Sequence, residues 1–99
     1  MKTVALITSD EVHQKLYQSA LKRFFGGLRR RNTLLGKADA VVYDLQDWNP
    51  KTDRNWLERL EIPVVILCSR ELPLVETSKR RILKQPVEGW QIVAALEEL

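Results

Sequence analysis

Apolar residues along this chain form two alternating patterns: short continuous runs, and positions spaced three or four apart. Continuous runs are typical of strands buried on both faces, and the wider spacing is typical of amphipathic helices. The runs predict buried strands at residues 4–7, 40–43 and 63–67, and a brief strand at residues 81–84. A further strand is predicted around residues 28–32, at a sheet edge, because edge strands tolerate charge such as its three arginines.

The clearest helical pattern covers residues 11–25. Its apolar positions recur at spacings of three and four, at Val12, Leu16, Tyr17, Ala20, Leu21 and Phe24. The polar triplet Thr8-Ser9-Asp10 before it supplies candidate N-caps, and Gly26-Gly27 after it suits a left-handed C-cap. Two further helices are predicted, at residues 55–60 and 87–99. The second is expected to turn these residues toward the core: Trp90, Val93, Ala94 and Leu96.

Strands made of continuous apolar runs and separated by helices indicate an α/β fold with a parallel sheet covered on both faces. In open sheets of this kind, the working site lies at the carboxyl ends of the strands. The polar or reactive side chains predicted at those ends are Thr8, Ser9, Asp10, Asp44, Cys68, Ser69, Lys84 and Gln85.

Length and composition limit the chain to one domain, residues 1–99, with one modest core. The hydrophobic share of 44% and the charged share of 29% are typical of a globular protein. No apolar run approaches the roughly 20 residues that span a bilayer, and the amino terminus lacks the apolar core of a signal peptide. Cys68 is the one cysteine, which excludes an internal disulfide and suits a reducing compartment. We expect a cytoplasmic protein with no membrane partner.

Several short motifs resemble, in order, those of the receiver domain of response regulators. "ADAVVYDL" resembles the third-strand motif of that family and places Asp44 at its phosphoacceptor aspartate. "IPVVILCS" resembles the fourth strand, and "ILKQPVEGWQIVAALEEL" the fifth strand, proline turn and last helix. The resemblance implies a flavodoxin-like three-layer fold with a five-stranded parallel sheet in the order 2-1-3-4-5. It also implies a place in two-component signal transduction.

The first-strand motif departs from the family pattern. Aligning "VALITSDEVHQKL" on it puts Thr8 and Ser9 where the resemblance expects an acidic pair, and Asp10 one place later. Phosphoryl transfer to a carboxylate uses a divalent cation, and magnesium prefers an octahedral shell of carboxylate, phosphate and water oxygens. Asp44 with Thr8 and Ser9 is a poor magnesium site.

The fourth and fifth strands depart as well. Cys68 falls where the family has Thr or Ser, with Ser69 adjacent. Gln85 falls at the lysine position before the proline, and a normally pleated strand turns Lys84 to the other face. Gln85 can donate a hydrogen bond to a phosphoryl oxygen but carries no charge.

Two helices of the family are predicted to be short or missing. Residues 27–38 leave too little room for a second strand and a full crossover helix. Pro73 interrupts the segment between Ser69 and Arg81 where a fourth helix would lie, because proline removes an amide and clashes with the preceding turn.

These departures predict a non-catalytic pseudo-receiver that is not phosphorylated, holds no cofactor and acts through protein–protein contacts. We expect a protein partner from a signalling pathway, and a homodimer through the last strand and helix. One alternative is an active receiver that uses Asp44 as phosphoacceptor, in which case Mg²⁺ would be the cofactor. The other is a basic nucleic-acid-binding domain.

Plainer interpretations remain open for the same residues. Asp44 could be only a solvated strand end or a cap for the following loop. Ser9 and Asp10 are better explained as helix caps than as ligands. His13 is expected to be a partly exposed helix residue, and Cys68 a small buried apolar residue.

Basic residues give a net charge of +3 and fall in two clusters, around Arg29, Arg30 and Arg31 and at residues 79–84. In the order 2-1-3-4-5 these clusters lie near opposite edges, so they cannot form one continuous nucleic-acid groove. Nucleic acid is therefore not favoured, and charge that discourages edge-to-edge pairing explains the clusters equally well. The three arginines and Trp48 are nevertheless candidate contact residues.

Overall fold

The computed structural model describes residues 3–22, 38–45 and 48–99. These residues form four strands and three helices, and a helix follows every strand except β3. Their bounds are β1 Val4–Ile7, α1 Glu11–Ala20, β2 Ala40–Leu45, α2 Thr52–Arg59, β3 Val64–Cys68, β4 Arg80–Lys84 and α3 Gly89–Glu97.

All four strands pair in parallel, in the order β1-β2-β3-β4. Every residue of β1, β2 and β3 is buried, whereas β4 is only half-buried at the edge. The continuous apolar runs are thus explained by helices and loops on both faces of the sheet.

The five-stranded order 2-1-3-4-5 is not the sheet that the described residues form. Four of the five predicted strands are present, and they keep the relative order predicted for them. The remaining strand, predicted around residues 28–32, lies outside the described residues, as does the segment in which a shortened second helix was expected. An α/β fold with a parallel sheet is confirmed.

The two faces of the sheet carry separate core clusters, because successive strand residues point in opposite directions. On one face, α1 and α3 cover Val4, Leu6, Val42 and Val65 with Tyr17, Leu21, Ile92, Ala95 and Leu96. On the other face, Leu57 of α2 packs with Ala5, Ile7, Val41, Tyr43 and Ile66. Trp56 adds an edge-on contact to Tyr43 at a ring-centroid distance of 5.0 Å.

Caps account for differences between the predicted and the observed helices. Asn49 Oδ1 accepts from the amides of Lys51 and Thr52, at 3.0 and 3.3 Å, so α2 begins before residue 55. Glu88 and Gln91 form a capping box that starts α3 two residues later than the pattern predicted. In α1 the last helical residue is Ala20, earlier than the predicted Phe25.

Four apolar residues expected on helix core faces are exposed instead, and Ala94 of α3 is one of them. Trp90 is 69% exposed, because it precedes Ile92 by a little over half a turn and the core stripe of α3 is Ile92, Ala95 and Leu96. Val12 and Leu16 are 73% and 56% exposed, because α1 turns Tyr17 and Leu21 to the sheet.

The fourth helix of the family pattern is absent between Ser69 and Lys79, a segment that is described throughout. This outcome confirms the prediction drawn from Pro73. Leu72 and Leu74 pack the segment against the sheet beside Ile82, and the carboxylate of Glu76 accepts a 3.0 Å hydrogen bond from the edge amide of Ile82. Among the described residues, no helix is both long and apolar enough to cross a bilayer.

Candidate functional site

Asp44 is the penultimate residue of β2, at the carboxyl edge of the sheet. Its side chain has no exposed surface. A solvated strand end, one of the plainer interpretations, is therefore wrong. A carboxylate in such a position needs hydrogen-bond donors, because burial without them costs several kcal/mol, on the order of 2–7 even for a neutral polar group.

Both carboxylate oxygens of Asp44 accept hydrogen bonds from side chains. Thr8 Oγ1 donates to Oδ2 at 2.6 Å, and Gln85 Nε2 donates to Oδ1 at 3.1 Å. His13 Nδ1 lies 2.8 Å from Oδ2, a distance that makes an ion pair when the imidazole is protonated. The donors come from the β1–α1 loop, from α1 and from the segment after β4.

The local fold of α1 places His13 at this carboxylate. Asp10 is the N-cap, and its Oδ1 accepts from the backbone amide of His13 at 2.9 Å. That hydrogen bond and the nearby imidazole hold the pKa of Asp10 below its usual value. Thr8 Oγ1 in turn accepts from the amide of Asp10 at 3.1 Å, so one hydroxyl connects the helix cap to Asp44.

Gln85 connects Asp44 to the buried phenol of Tyr17. Its Nε2 also donates to Tyr17 Oη, at 2.8 Å, and the Gln85–Pro86 peptide bond beside it is cis. Burial raises the pKa of Tyr17 and the negative charge of Asp44 raises it further, while the bond from Gln85 acts in the opposite direction. The phenol stays protonated and packs against His13, with ring centroids 5.3 Å apart.

Comparison with known proteins identifies the fold through structure and not through sequence. No protein-family model and no curated protein matches the chain. Thirteen chains of solved structures match it. One is the solution structure of a response regulator protein from Burkholderia multivorans, with a TM-score of 0.59 and 15% identity, covering 100% of this chain and 97% of that one. The fold is receiver-like.

Within this receiver-like fold, two of the predicted neighbours contact Asp44 and the others point elsewhere. Thr8 and Gln85 donate to it. Asp10 caps α1, as the plainer interpretation predicted. The remaining neighbours are placed as follows: Ser9, Ser69 and Lys84 are exposed, and Cys68 is buried with its thiol directed at the carbonyl of Leu83.

Cys68 behaves as the small buried residue that its sequence context indicated. Its Sγ lies 3.7 Å from the carbonyl oxygen of Leu83. Burial raises the pKa of the thiol, although the charge of Lys84 partly offsets the effect. A thiol of raised pKa is a poor nucleophile, since the thiolate is the reactive form.

The described side chains around Asp44 are a hydroxyl, an imidazole and an amide. Among the residues that the structure describes, no group of three or more His, Cys, Asp or Glu side chains is close enough to share a cation. The hydroxyl of Thr8 and the imidazole of His13 both contact Oδ2 of Asp44. The receiver-like fold therefore has a hydrogen-bonded cluster at this edge.

A second buried acid, Asp53, was not identified from the sequence. It is 1% exposed, accepts from Tyr43 Oη at 2.8 Å and accepts from the amide of Asn49 at 2.7 Å. These bonds connect Tyr43 of β2 and the backbone of Asn49 to the first turn of α2. The available signal was position, because an acid in the first turn of a helix is favoured by the helix dipole.

Of the four predicted contact residues, the structure describes one, Trp48. Arg29, Arg30 and Arg31 lie outside the described residues. Trp48 is half-buried against the second core cluster, with the guanidinium carbon of Arg54 5.9 Å from its ring centroid. Its indole Nε1–H is buried and has no hydrogen-bond partner in the described structure.

Proposed function

We propose that this chain is a receiver-like regulatory domain that acts through protein–protein contacts and does not use a phosphorylated aspartate. One observation carries the proposal. Both oxygens of the carboxylate at the phosphoacceptor position, Asp44, are engaged by side chains of the same chain. A nucleophilic oxygen would have to give up such a bond before it could attack a phosphoryl donor.

The chemistry of the neighbours supports the same proposal. Magnesium binds through carboxylates and waters, whereas Asp44 is approached by a hydroxyl, an imidazole and an amide. Gln85 has no charge with which to pair a phosphoryl group. When protonated, His13 supplies a positive charge next to the carboxylate, which lowers the need for a bound cation.

An apolar surface on α1 and α3 supports the proposal that the chain acts through protein–protein contacts. An open groove of about 410 Å³ lies between the two helices, beside Ala20, Val93 and Ala94, with the exposed indole of Trp90 on its rim. Leu16 lies one turn before Ala20 on the same side of α1. Exposed contiguous apolar surface on a small domain marks an interaction site. We propose this face as the contact surface, with a second copy of the chain as one partner.

Phosphorylation of Asp44 provides the direct test. The protein and its Asp44→Asn variant are incubated with a small acyl phosphate and Mg²⁺ at millimolar concentration, and intact masses are compared. We expect neither protein to gain a phosphoryl group, and fluoroberyllate with Mg²⁺ to leave the backbone amide signals around Asp44 unmoved. A phosphoryl adduct on the unmodified sequence that Asp44→Asn lacks would show that Asp44 is an active phosphoacceptor.

A further inference from the structure

Exposed apolar side chains are concentrated on α1 and α3. Four large ones are exposed among the described residues, and three of them are Val12, Leu16 and Trp90. Val12, Leu16 and Ala20 are spaced four apart, so they lie along one side of α1. Ala20 is next to Gly89, the first residue of α3, and this side of α1 therefore continues into α3. These residues form the α1–α3 face.

The α1 side of this face is basic. Residues 15–22, which include the turn after the helix, carry two exposed lysines, Lys15 and Lys22, and no acid. The acids Asp10 and Glu11 lie at the opposite end of the helix, at its cap and first turn. Neither lysine side chain makes a hydrogen bond or an ion pair among the residues that the structure describes. Both positive charges are therefore available to a partner.

The α3 side of the face is acidic. Residues 88–98 carry three acids and no basic residue. Glu88 belongs to the capping box and Glu98 contacts Arg81, so both are engaged within the chain. Glu97 is exposed, lines the groove between the two helices and makes no ion pair in the described part of the chain. Its negative charge lies on the surface that a partner would cover.

A face that is basic on one side and acidic on the other is complementary to itself under a two-fold rotation. In a two-fold dimer both copies use the same patch, so each contact occurs twice. If α1 packed on α1 and α3 on α3, lysines would approach lysines and acids would approach acids. If α1 packed on α3 of the second copy, each basic side would meet an acidic side. Like charges across an interface cost free energy, so the second arrangement is favoured.

We propose that two copies of the chain dock with α1 of each copy against α3 of the other, an inference that rests on the protein-contact role proposed for this face. Lys15 and Lys22 of one copy pair with Glu97 of the second copy, and the same pairing is repeated with the copies exchanged. The exposed indole of Trp90 lies between them, against Leu16 of the other copy. Apolar area at the centre supplies most of the affinity, and the charges determine which helix meets which.

Charge reversal on each side of the face tests this pairing. One variant carries Lys15→Glu and Lys22→Glu, and the other carries Glu97→Lys. Sedimentation velocity at low ionic strength, where exposed charges are least screened, gives the dissociation constants, and circular dichroism checks that both variants are folded. We expect each variant alone to self-associate at least about tenfold more weakly than the unmodified chain, because like charges then meet at both contacts.

An equimolar mixture of the two variants is the decisive sample. One variant is acidic on both sides of the face and the other is basic on both sides, so opposite charges meet at both contacts of a mixed dimer. We expect the mixture to regain the affinity of the unmodified chain. A mixture that associates no better than its components would overturn the proposal. So would two variants that each associate as the unmodified chain does, which is the result expected if α1 packs on α1.

The matched controls reverse charges on the other face of the sheet. Lys51→Glu with Arg59→Glu is one control and Glu58→Lys is the other, at exposed positions in and just before α2. Both should self-associate as the unmodified chain does, alone and mixed. The pairing and the proposed function fail separately. An unmodified chain that stays monomeric would overturn the pairing while contacts with other proteins still held, whereas the phosphorylation test of Asp44 does not involve these charges.

Discussion

The carboxylate of Asp44 illustrates how a buried charge is kept in this chain. Three side chains from three different segments contact it, and the residue is 3% exposed. Removing one hydrogen-bond partner from a buried carboxylate costs more than the bond itself contributes, because the carboxylate is left unsatisfied. The cluster therefore fixes the relative positions of β1, α1, β2 and the segment after β4.

His13→Ala tests the importance of the imidazole in that cluster. We expect the free energy of unfolding to fall by about 1–3 kcal/mol, the usual cost of removing one partner from a buried acceptor. The loss should be smaller when the change is made in Asp44→Asn, because the carboxylate is no longer charged. Gln14→Ala, at the next position of α1, is the control.

Urea unfolding at neutral pH provides the measurement. Additive effects of His13→Ala and Asp44→Asn would contradict a direct interaction between the two side chains. A decrease in the free energy of unfolding of Gln14→Ala as large as that of His13→Ala would contradict the interaction as well.

The phenol of Tyr17 is expected to contribute to the loss of folding stability at alkaline pH. Burial raises the pKa of its phenol in the folded state, so the unfolded chain loses this proton at lower pH than the folded one. The contribution of Tyr17 is fully present below about pH 10 and is lost as pH rises through the folded-state pKa. We expect Tyr17→Phe to remove this part of the alkaline stability loss, as measured by urea unfolding at several pH values. A loss that persists unchanged in Tyr17→Phe would refute the assignment.

At the residue scale, the site was predictable only where a strand end brings a side chain into it. Thr8 and Gln85 follow strands, and both were placed at the site from the sequence. His13 is on a helix, and its role was missed because helix side chains point back toward the amino terminus. That direction carries the imidazole from the first turn of α1 to the strand ends.

Helices α1 and α3 approach closely at Gly89 and Ala20. A Cβ added at Gly89 would lie 2.6 Å from the Cβ of Ala20. Real Cβ atoms do not come so close, so the two helices would have to separate. The absence of a side chain at residue 89 sets their spacing.

Gly89→Ala is expected to destabilise the domain by about 1–3 kcal/mol, the usual cost of overpacking. The higher helix propensity of alanine, worth about 1 kcal/mol, offsets part of that cost. Adding Ala20→Gly should restore much of the loss, because it removes the atom that clashes. Thermal unfolding measures the stability of Gly89→Ala and of the double variant. If Gly89→Ala is as stable as the unmodified chain, the two helices adjust their spacing freely.

At the element scale, strands were predicted better than the orientation of helices. A strand buried on both faces is a continuous apolar run, and β1, β2 and β3 each match one closely. Helix orientation depends on which stripe meets the sheet. In α3 both Trp90 and Ile92 are apolar, so the sequence alone did not indicate which of them is buried.

The charge distribution of the whole molecule bears on the alternatives. Strand β4 places Arg80, Arg81 and Lys84 along one edge of the sheet, and Arg81 contacts Glu98 at 3.3 Å. Charge along an edge strand discourages pairing with another sheet. Of the last strand and helix, where a homodimer was predicted, the helix is thus the better candidate. Nucleic-acid binding stays the less favoured prediction.

Sedimentation velocity over a range of concentrations tests self-association through α1 and α3. We expect the chain to associate as its concentration rises, and Trp90→Ala to weaken association, because it removes the largest exposed apolar side chain of that face. Val75→Ala is the matched control, since Val75 is 73% exposed but lies on the segment between β3 and β4. If Val75→Ala weakens association as strongly as Trp90→Ala, the face is misassigned. A chain that stays monomeric at millimolar concentration would exclude the homodimer.

The contact between His13 and Asp44 bears on how the protein would respond to metal ions in solution. A cation that is bound from solution can be withdrawn by a chelator or exchanged for another metal. The imidazole of His13 is covalently part of the chain, so its contact with Asp44 cannot be withdrawn in that way. On this basis the melting temperature should be indifferent to EDTA and to added magnesium, and the domain would keep one shape while the ionic composition around it changes.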